Sequence, residues 1–165
     1  MRIVPLMTLA MLLILALTPP LHAWRGQVVE VLDARTLLVD SGDRKVRVSL
    51  YGLGVPDKDE PYGPEAEQAL KEMALGLEVS LSVHPTSPES HVSAVVTVRK
   101  TGVNLNEALL KNGLAWVWEA YCEKAVLCGR WERLQGQAKS SGQGFWPLIP
   151  GNRPAWKWLR EHSGQ

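Results

Sequence analysis

Acidic side chains recur in one stretch of the sequence and could bind a hard cation. Asp33 lies at the start of this stretch, and Asp57, Asp59 and Glu60 lie at its end. Calcium takes about six to eight oxygen ligands, and carboxylates are prominent among them in proteins. The sequence therefore allows a cation site with few carboxylate ligands beside Asp33. A solvent-exposed acidic loop is the simpler interpretation of residues 57–60.

A second group of metal-binding residue types flanks one predicted hairpin loop. It contains His84, Glu89 and His91. Imidazole and carboxylate groups both bind transition metals. No further strong ligand accompanies these three residues, so an exposed loop is the favoured interpretation and a metal site the alternative.

The first 23 residues have the composition of a secretory signal peptide. Arg2 precedes an apolar run over residues 3–17, Pro19 and Pro20 follow it, and Ala23 offers a small residue for cleavage. The apolar run is shorter than the roughly 20 residues of an ordinary membrane span. The sequence predicts cleavage after Ala23 and a secreted or periplasmic protein, with an uncleaved membrane anchor as the alternative.

The chain contains two cysteines, Cys122 and Cys128. An oxidising compartment outside the cytoplasm favours a disulfide between them. Two free buried thiols are the alternative. A metal site is disfavoured because no histidine or second cysteine pair accompanies them.

The charge balance gives no support to a dedicated nucleic-acid binder. The formal net charge is +1, and residues 1–23 contain one arginine and no acid. The remaining chain is therefore formally neutral. Proteins that bind polynucleotides generally depend on an excess of lysine and arginine.

Hydrophobic periodicity and turn residues predict five strands and three helical regions. Alternation of apolar residues predicts strands over residues 26–32, 36–40, 45–53, 77–83 and 92–99. Helical spacing, Pro64 in a first turn and a capping box at Asn104 and Glu107 predict helices over residues 64–74, 105–111 and 119–141. The proline- and glycine-containing tail over residues 147–165 is predicted to be irregular.

The order of these elements predicts an α+β fold. Three strands, a helix and two further strands follow the order of the five-stranded oligonucleotide/oligosaccharide-binding (OB-fold) barrel. About three helices would pack on this barrel. The length fits one domain over residues 24–146, between the leader 1–23 and the tail 147–165. We expect this domain to be a monomer.

Ordered motifs along the chain resemble those of the staphylococcal nuclease (thermonuclease-like) family. The family pattern opens with D-G-D-T, where this chain has residues 33–36, and continues with R-L-Y-G-I-D-A-P-E, where it has residues 49–57. Later matches are YGPEA at 62–66, NLNEAL at 104–109, GLAWVW at 113–118 and GFW at 144–146. Exported members also carry Y-C…C…W and a tryptophan-rich end, matching residues 121–131 and 153–158.

The resemblance implies calcium-dependent hydrolysis of phosphodiesters in DNA or RNA, but the positions that serve it hold altered residues. At the metal, Asp33 and the Val55 carbonyl remain, while Arg35 and Gly54 stand where the family has aspartates. At the catalytic positions, this chain holds the following residues: Asp57 for the family glutamate, and Ser49 and His91 for two arginines.

A cation in place of a carboxylate opposes binding of a second cation. Two unit charges about 4 Å apart interact by roughly 4 kcal/mol at an effective dielectric near 20. We therefore expect a catalytically degenerate domain, without a cofactor, that binds a nucleic acid or an envelope protein. The alternatives are an active nuclease using Ca²⁺ at a site rearranged around Asp33, Asp57 and Asp59, or an interaction module of an envelope complex.

The chain holds seven tryptophans, which could form a stacking surface for single strands or sugars. Trp116, Trp118 and Trp131 are assigned to helical segments and predicted to pack in the core. Trp156 and Trp158 in the tail are expected to be more exposed and to pack back on the body.

Overall fold

The computed structural model describes residues 24–84, 92–151 and 153–164, which include seven strands and four α-helices. The strands are β1 (Trp24–Val31), β2 (Thr36–Asp40), β3 (Lys45–Leu50), β4 (Leu53–Gly54), β5 (Glu78–His84), β6 (Val92–Val98) and β7 (Trp116–Val117). The α-helices are α1 (Gly63–Ala74), α2 (Leu105–Lys111), α3 (Ala125–Ser140) and α4 (Ala155–Glu161). Within these ranges, no helix has the length and apolar character needed to cross a membrane. The proposed leader, Glu89 and His91 lie outside the described residues.

Five strands form a closed barrel in the order β1-β2-β3-β6-β5. Neighbouring strands are antiparallel except β3 and β6, which pair in parallel from Val48↔Val92 to Leu50↔Ala94. Closure removes the unpaired strand edges that a small open sheet would expose. The predicted α+β fold with a five-stranded OB-type barrel is confirmed, with four helices rather than about three.

The third strand is shorter than the sequence predicts, because the chain turns at Gly52. This glycine has φ 66°, a left-handed conformation that side chains with a β-carbon disfavour. A β-carbon there would also lie 3.0 Å from the Cys122 sulfur. After the turn, the two residues of β4 leave the barrel and pair with β7.

The main core fills the barrel and extends under the helices. Strand residues such as Val28, Leu37 and Val96 point inward and are buried. Asn106 of α2 is fully buried and joins that helix to the barrel. Its side-chain amide donates to the Tyr51 carbonyl at 3.1 Å, and its oxygen accepts from the Val96 N–H at 3.0 Å.

The predicted helix α2 is confirmed at its bounds and its cap. The Asn104 side chain accepts from the Glu107 backbone N–H at 3.1 Å, which satisfies an otherwise unpaired donor of the first turn. The Glu107 carboxylate does not return the bond of a capping box. It forms salt bridges with Arg130 of α3 at 3.0 Å and with Lys111 at 3.7 Å.

The irregular tail predicted over residues 147–165 is wrong. Pro154 ends the extended segment and α4 follows at once, because Ala155 and Leu159, spaced i,i+4, bury one helix face. That face packs in a second, smaller core with Trp116, Phe145 and Trp146. Trp158 is half-buried against this core, so the tail does pack on the body as expected.

Cys122 and Cys128 form a disulfide, as predicted. It joins the segment after β7 to the first turn of α3. Both sulfurs lie in the main core, and the Cys122 side chain contacts the turn at Gly52. Trp131 is buried there too, in α3 as expected, whereas Trp116 is buried in a strand instead of a helix.

Candidate functional site

A cleft of about 590 Å³ lies where the β1–β2 turn, β4 and its following loop, and α4 converge. Most residues singled out from the sequence line it. They are Asp33, Arg35, Ser49, Gly54, Val55, Asp57 and Glu60. The structure therefore brings these positions together, and the identity of each side chain determines what the cleft can bind.

The carboxylate of Asp33 holds the β1–β2 turn together. Its Oδ1 accepts hydrogen bonds from the backbone N–H groups of Arg35 at 2.7 Å and Thr36 at 2.8 Å. Aspartate commonly closes turns in this way. The second carboxylate oxygen, Oδ2, takes no part in these two bonds.

Arg35 carries its positive charge into the cleft from the same turn. Its side chain is half-buried, and Nη1 donates to the Leu53 carbonyl at 3.3 Å. This contact crosses from the β1–β2 turn to β4. The guanidinium therefore lies beside β4. Gly54 of that strand and Val55, which follows it, are the other family metal positions.

Trp116 occupies the space into which a side chain at position 54 would point. Gly54 and Trp116 are partners in the β4–β7 pair. A β-carbon built on Gly54 would overlap the indole ring at Cε2 and Nε1. Trp116 is only 6 % exposed and packs against Phe145, so the ring cannot yield without disturbing the second core. The structure leaves no room for a carboxylate at this position.

Asp57 and Glu60 lie in the same loop but differ in burial. Asp57 is exposed, whereas Glu60 is 8 % exposed, so the prediction of a solvent-exposed acidic loop is wrong for Glu60. The Glu60 carboxylate accepts from the Asp57 backbone N–H at 2.8 Å. Burial raises the pKa of Glu60, and the negative charges of Asp57 and Asp59 add to this, whereas that hydrogen bond and Arg160 oppose it.

Two serine hydroxyl groups line the barrel side of the cleft, one of them at the position of a family arginine. Ser49 of β3 lines it at the position of a family arginine, and Ser93 of β6 lies directly across the parallel pair. Arg47, two residues earlier on β3, is exposed and is not among the residues that line the cleft. The other family arginine position was assigned to His91, outside the described residues.

These residues do not fit the calcium site that the family resemblance implies. Asp33 has one carboxylate oxygen outside its turn, Arg35 is cationic, and Gly54 has neither a carboxylate nor space for one. The Val55 carbonyl and the Asp57 side chain are the remaining oxygen donors at family positions. Calcium needs about six to eight oxygen ligands. Across residues 24–84, 92–151 and 153–164, no three histidine, cysteine or acidic side chains cluster so as to hold a metal ion.

Aromatic rings form the opposite wall of the cleft. Trp116 stacks near Trp118, with ring centroids 6.1 Å apart, and Tyr121 and Trp156 continue the wall. Arg160 lies at its end. The sequence singled out the tryptophans but gave Trp156 no place in the cleft, and Tyr121 and Arg160 were missed. The i,i+4 spacing of Trp156 and Arg160 could have indicated a helix with both side chains on one face. The prolines of the tail argued against a helix there.

His84 lies away from this cleft, in the main core. Its ring stacks on Tyr51 at 4.2 Å between centroids, and burial lowers the pKa of His84, with Lys124 nearby acting in the same direction. Its proposed metal partners Glu89 and His91 fall outside the described residues, so the alternative of a metal site there stays a prediction. The Tyr51 hydroxyl accepts from the Glu123 N–H at 2.8 Å.

Comparison with known proteins places the chain in a family. The model described as "Staphylococcal nuclease homologue" matches residues 44–147. A "Probable staphylococcal-like nuclease" of Oryza sativa subsp. japonica is 34% identical over 118 residues, covering 72% of this chain and 34% of the rice protein. An "Uncharacterized endonuclease" of Escherichia coli is 28% identical over 137 residues, covering 81% of this chain and 83% of that protein.

A third relative extends the similarity over nearly the full length. "Protein ParB" of Escherichia coli is 28% identical over 166 residues, covering 94% of this chain and 91% of its own. The chain spans about a third of the rice relative, by contrast. The closed barrel, the matched motifs and the family model agree on a nuclease-type domain. The chain belongs to the staphylococcal nuclease family.

Proposed function

We propose that this chain is an exported, degenerate member of the family that binds single-stranded nucleic acid in the cleft without calcium-dependent hydrolysis. The observation that carries the proposal is the indole ring of Trp116 in the space of the side chain at position 54. Loss of that carboxylate and the guanidinium of Arg35 together remove the attraction that would hold a divalent cation.

The cleft retains features that suit a single strand. Its aromatic wall offers ring faces for bases, and stacking on such rings tolerates any base sequence. Arg35, Lys58 and Arg160 line the cleft among acids of comparable number, Asp33, Asp57, Glu60 and Glu67. Because the chain after residue 23 is formally neutral, affinity would rest more on stacking than on charge, and its dependence on salt would be shallow.

Hydrolysis and binding are tested together on the purified protein. We expect no turnover of single- or double-stranded DNA or RNA with calcium, magnesium or manganese, using an active staphylococcal nuclease as the positive control. We expect fluorescence anisotropy to detect binding of a labelled oligothymidylate. Robust metal-dependent turnover that disappears in Asp57→Asn would contradict the loss of hydrolysis, and absence of binding would contradict the ligand.

The second candidate function is metal-dependent nucleic-acid hydrolysis at a rearranged site. It is favoured by Asp57 and Glu60 on the same cleft as Asp33, and by the names of the rice and Escherichia coli relatives. Metal binding to the native state must raise its melting temperature. A melting temperature unchanged by millimolar calcium or manganese would contradict this candidate.

Export is the remaining part of the proposal. The Cys122–Cys128 disulfide supports an oxidising compartment, where such bonds persist. N-terminal sequencing of the protein recovered from the periplasm or the medium should begin at Trp24. A sequence beginning at Met1 would instead indicate a retained anchor or a cytoplasmic protein.

A further inference from the structure

The C-terminal helix α4 lies outside the matched family domain and yet forms one wall of the cleft. The family model ends at residue 147, and α4 begins at Ala155. Two of its side chains, Trp156 and Arg160, line the cleft beside residues of the barrel. A segment beyond the family domain therefore contributes to the surface that a ligand would meet.

The faces of α4 divide its side chains between anchoring and the cleft. Ala155 and Leu159 are buried in the second core. Trp156 and Arg160, also spaced i,i+4, contact each other, with the guanidinium carbon over the indole ring and 5.8 Å from its centroid. The pair is thus fixed in position by a helix that other residues hold in place.

Contacts away from the cleft fix the position of α4. Arg153, just before α4, and Glu161, its last residue, form a salt bridge at 2.5 Å that braces the helix along its length. The Gly164 backbone N–H donates to the Asp59 carbonyl at 2.9 Å, which ties the end of the tail to the acidic loop. Since neither contact uses Trp156 or Arg160, those two side chains can be changed without removing an anchor.

Trp156 and Arg160 retain surface that a ligand could cover. Trp156 is 43 % exposed, although its neighbours in the cleft wall, Trp116 and Trp118, are buried or half-buried. Arg160 is exposed, and no carboxylate of the described residues lies within salt-bridge distance of it. An exposed indole beside an exposed guanidinium combines a stacking face with an anion contact.

We infer that Trp156 and Arg160 form a subsite for an unpaired nucleobase and its adjacent phosphate. This inference rests on the proposed binding of single-stranded nucleic acid in the cleft. A base would stack on the exposed indole, and its phosphate would meet the guanidinium, which suits phosphate oxygens through its planar set of donors. Paired bases are already stacked within a duplex, so the subsite selects single strands.

The test measures binding of a labelled oligothymidylate to the purified full-length protein over a range of salt concentrations. Trp156→Ala removes the stacking face and should weaken binding roughly 5- to 140-fold, whereas Trp156→Phe should retain most of the affinity. Arg160→Gln should reduce the slope of log affinity against log salt by about 0.7, the contribution of one phosphate contact on a single strand.

Lys157 provides the matched control. It is exposed on the same helix and is not among the residues that line the cleft, so Lys157→Gln removes the same charge without touching the subsite. We expect its salt slope to equal that of the unchanged protein. The melting temperature of Lys157→Gln should equal that of the unchanged protein, and the other variants should remain folded at the assay temperature because the buried face of α4 is left intact.

Each other outcome overturns a distinct part of the proposal. If the unchanged protein binds and Trp156→Ala binds equally well, the subsite is wrong and the proposed function stands. If the unchanged protein binds no oligothymidylate, the proposed function and the subsite fail together. If Trp156→Ala weakens binding but Arg160→Gln leaves the salt slope unchanged, the phosphate contact is wrong, and a neutral stacking ligand such as an oligosaccharide becomes the better candidate.

Discussion

At the scale of single residues, the position of the Trp116 ring depends on the absence of a side chain at Gly54. The two residues are partners across β4 and β7. The indole ring occupies the space that is free because Gly54 has no side chain. A carboxylate at position 54 and the present position of Trp116 are therefore mutually exclusive. Restoring an aspartate there by substitution would not by itself recreate a metal site.

We predict that Gly54→Ala destabilises the protein by about 1–3 kcal/mol, because the added methyl group overlaps a ring that is packed in the core. Urea unfolding of the two proteins measures this difference.

Trp116→Leu provides the matched background for that substitution. In this background the ring is gone, so Gly54→Ala should cost clearly less, and the double-mutant cycle should show coupling. Equal costs in both backgrounds would mean that Trp116 moves aside freely, and the steric argument against a carboxylate would then fail.

At the scale of elements, the disulfide fixes the segment that connects β7 to α3. Closing a loop of this length lowers the entropy of the unfolded chain by an amount worth about 2 kcal/mol. We predict that a reductant lowers the free energy of unfolding by about that amount. Denaturant melts with and without dithiothreitol measure it.

The double variant Cys122→Ala/Cys128→Ala is the control for this measurement. It should be less stable than the oxidised protein and indifferent to reductant. A reductant effect that persists in this variant would show that the loss of stability does not come from the disulfide.

The elements that sequence predicts best are those whose signals are local. The cap at Asn104 and the helical spacing behind it give α2 at its observed bounds, and the five barrel strands follow from short alternating runs. Helix α4 was missed because Pro150, Gly151 and Pro154 indicate breaks, whereas its burial depends on a distant core. The short β4 was merged into β3 because its partner, β7, is remote in sequence.

The candidate site shows the same division. The motif positions Asp33, Arg35, Gly54 and Asp57 line one cleft in the structure. The overlap between Trp116 and position 54 joins residues far apart in the chain, and no local pattern reports such a contact. The burial of Glu60 likewise depends on how its loop folds back, which its acidic composition does not reveal.

At the scale of the whole molecule, titration of His84 makes stability depend on pH. Burial lowers its pKa in the folded protein below the ordinary value of 6.5. Well above pH 6.5 the imidazole is neutral in both states, and the contribution of His84 to stability is constant. As the pH falls from 6.5 through the lower folded pKa, the unfolded state binds more protons and stability is lost.

We predict that the free energy of unfolding decreases between pH 7 and about pH 5, and that His84→Phe removes part of this decrease while retaining the stacking on Tyr51. Denaturant unfolding across that range measures both slopes.

Glu60 provides a comparison of opposite sign. Its raised pKa means that its charged form is disfavoured in the folded state, so acidification through the folded pKa relieves a cost. Glu60→Gln should therefore make the loss of stability on acidification steeper.

An identical slope of stability against pH in His84→Phe and the unchanged protein would show that His84 is not responsible for the decrease.

The parallel pair between β3 and β6 has a consequence for dynamics. This pair is one of the five seams of the closed barrel, and its partners Ser49 and Ser93 both line the cleft. A ligand that touches both strands bridges the seam and must raise the free energy of opening it locally. Occupancy of the cleft would then appear as slower amide hydrogen exchange along β3 and β6, even where the ligand contacts neither strand's backbone.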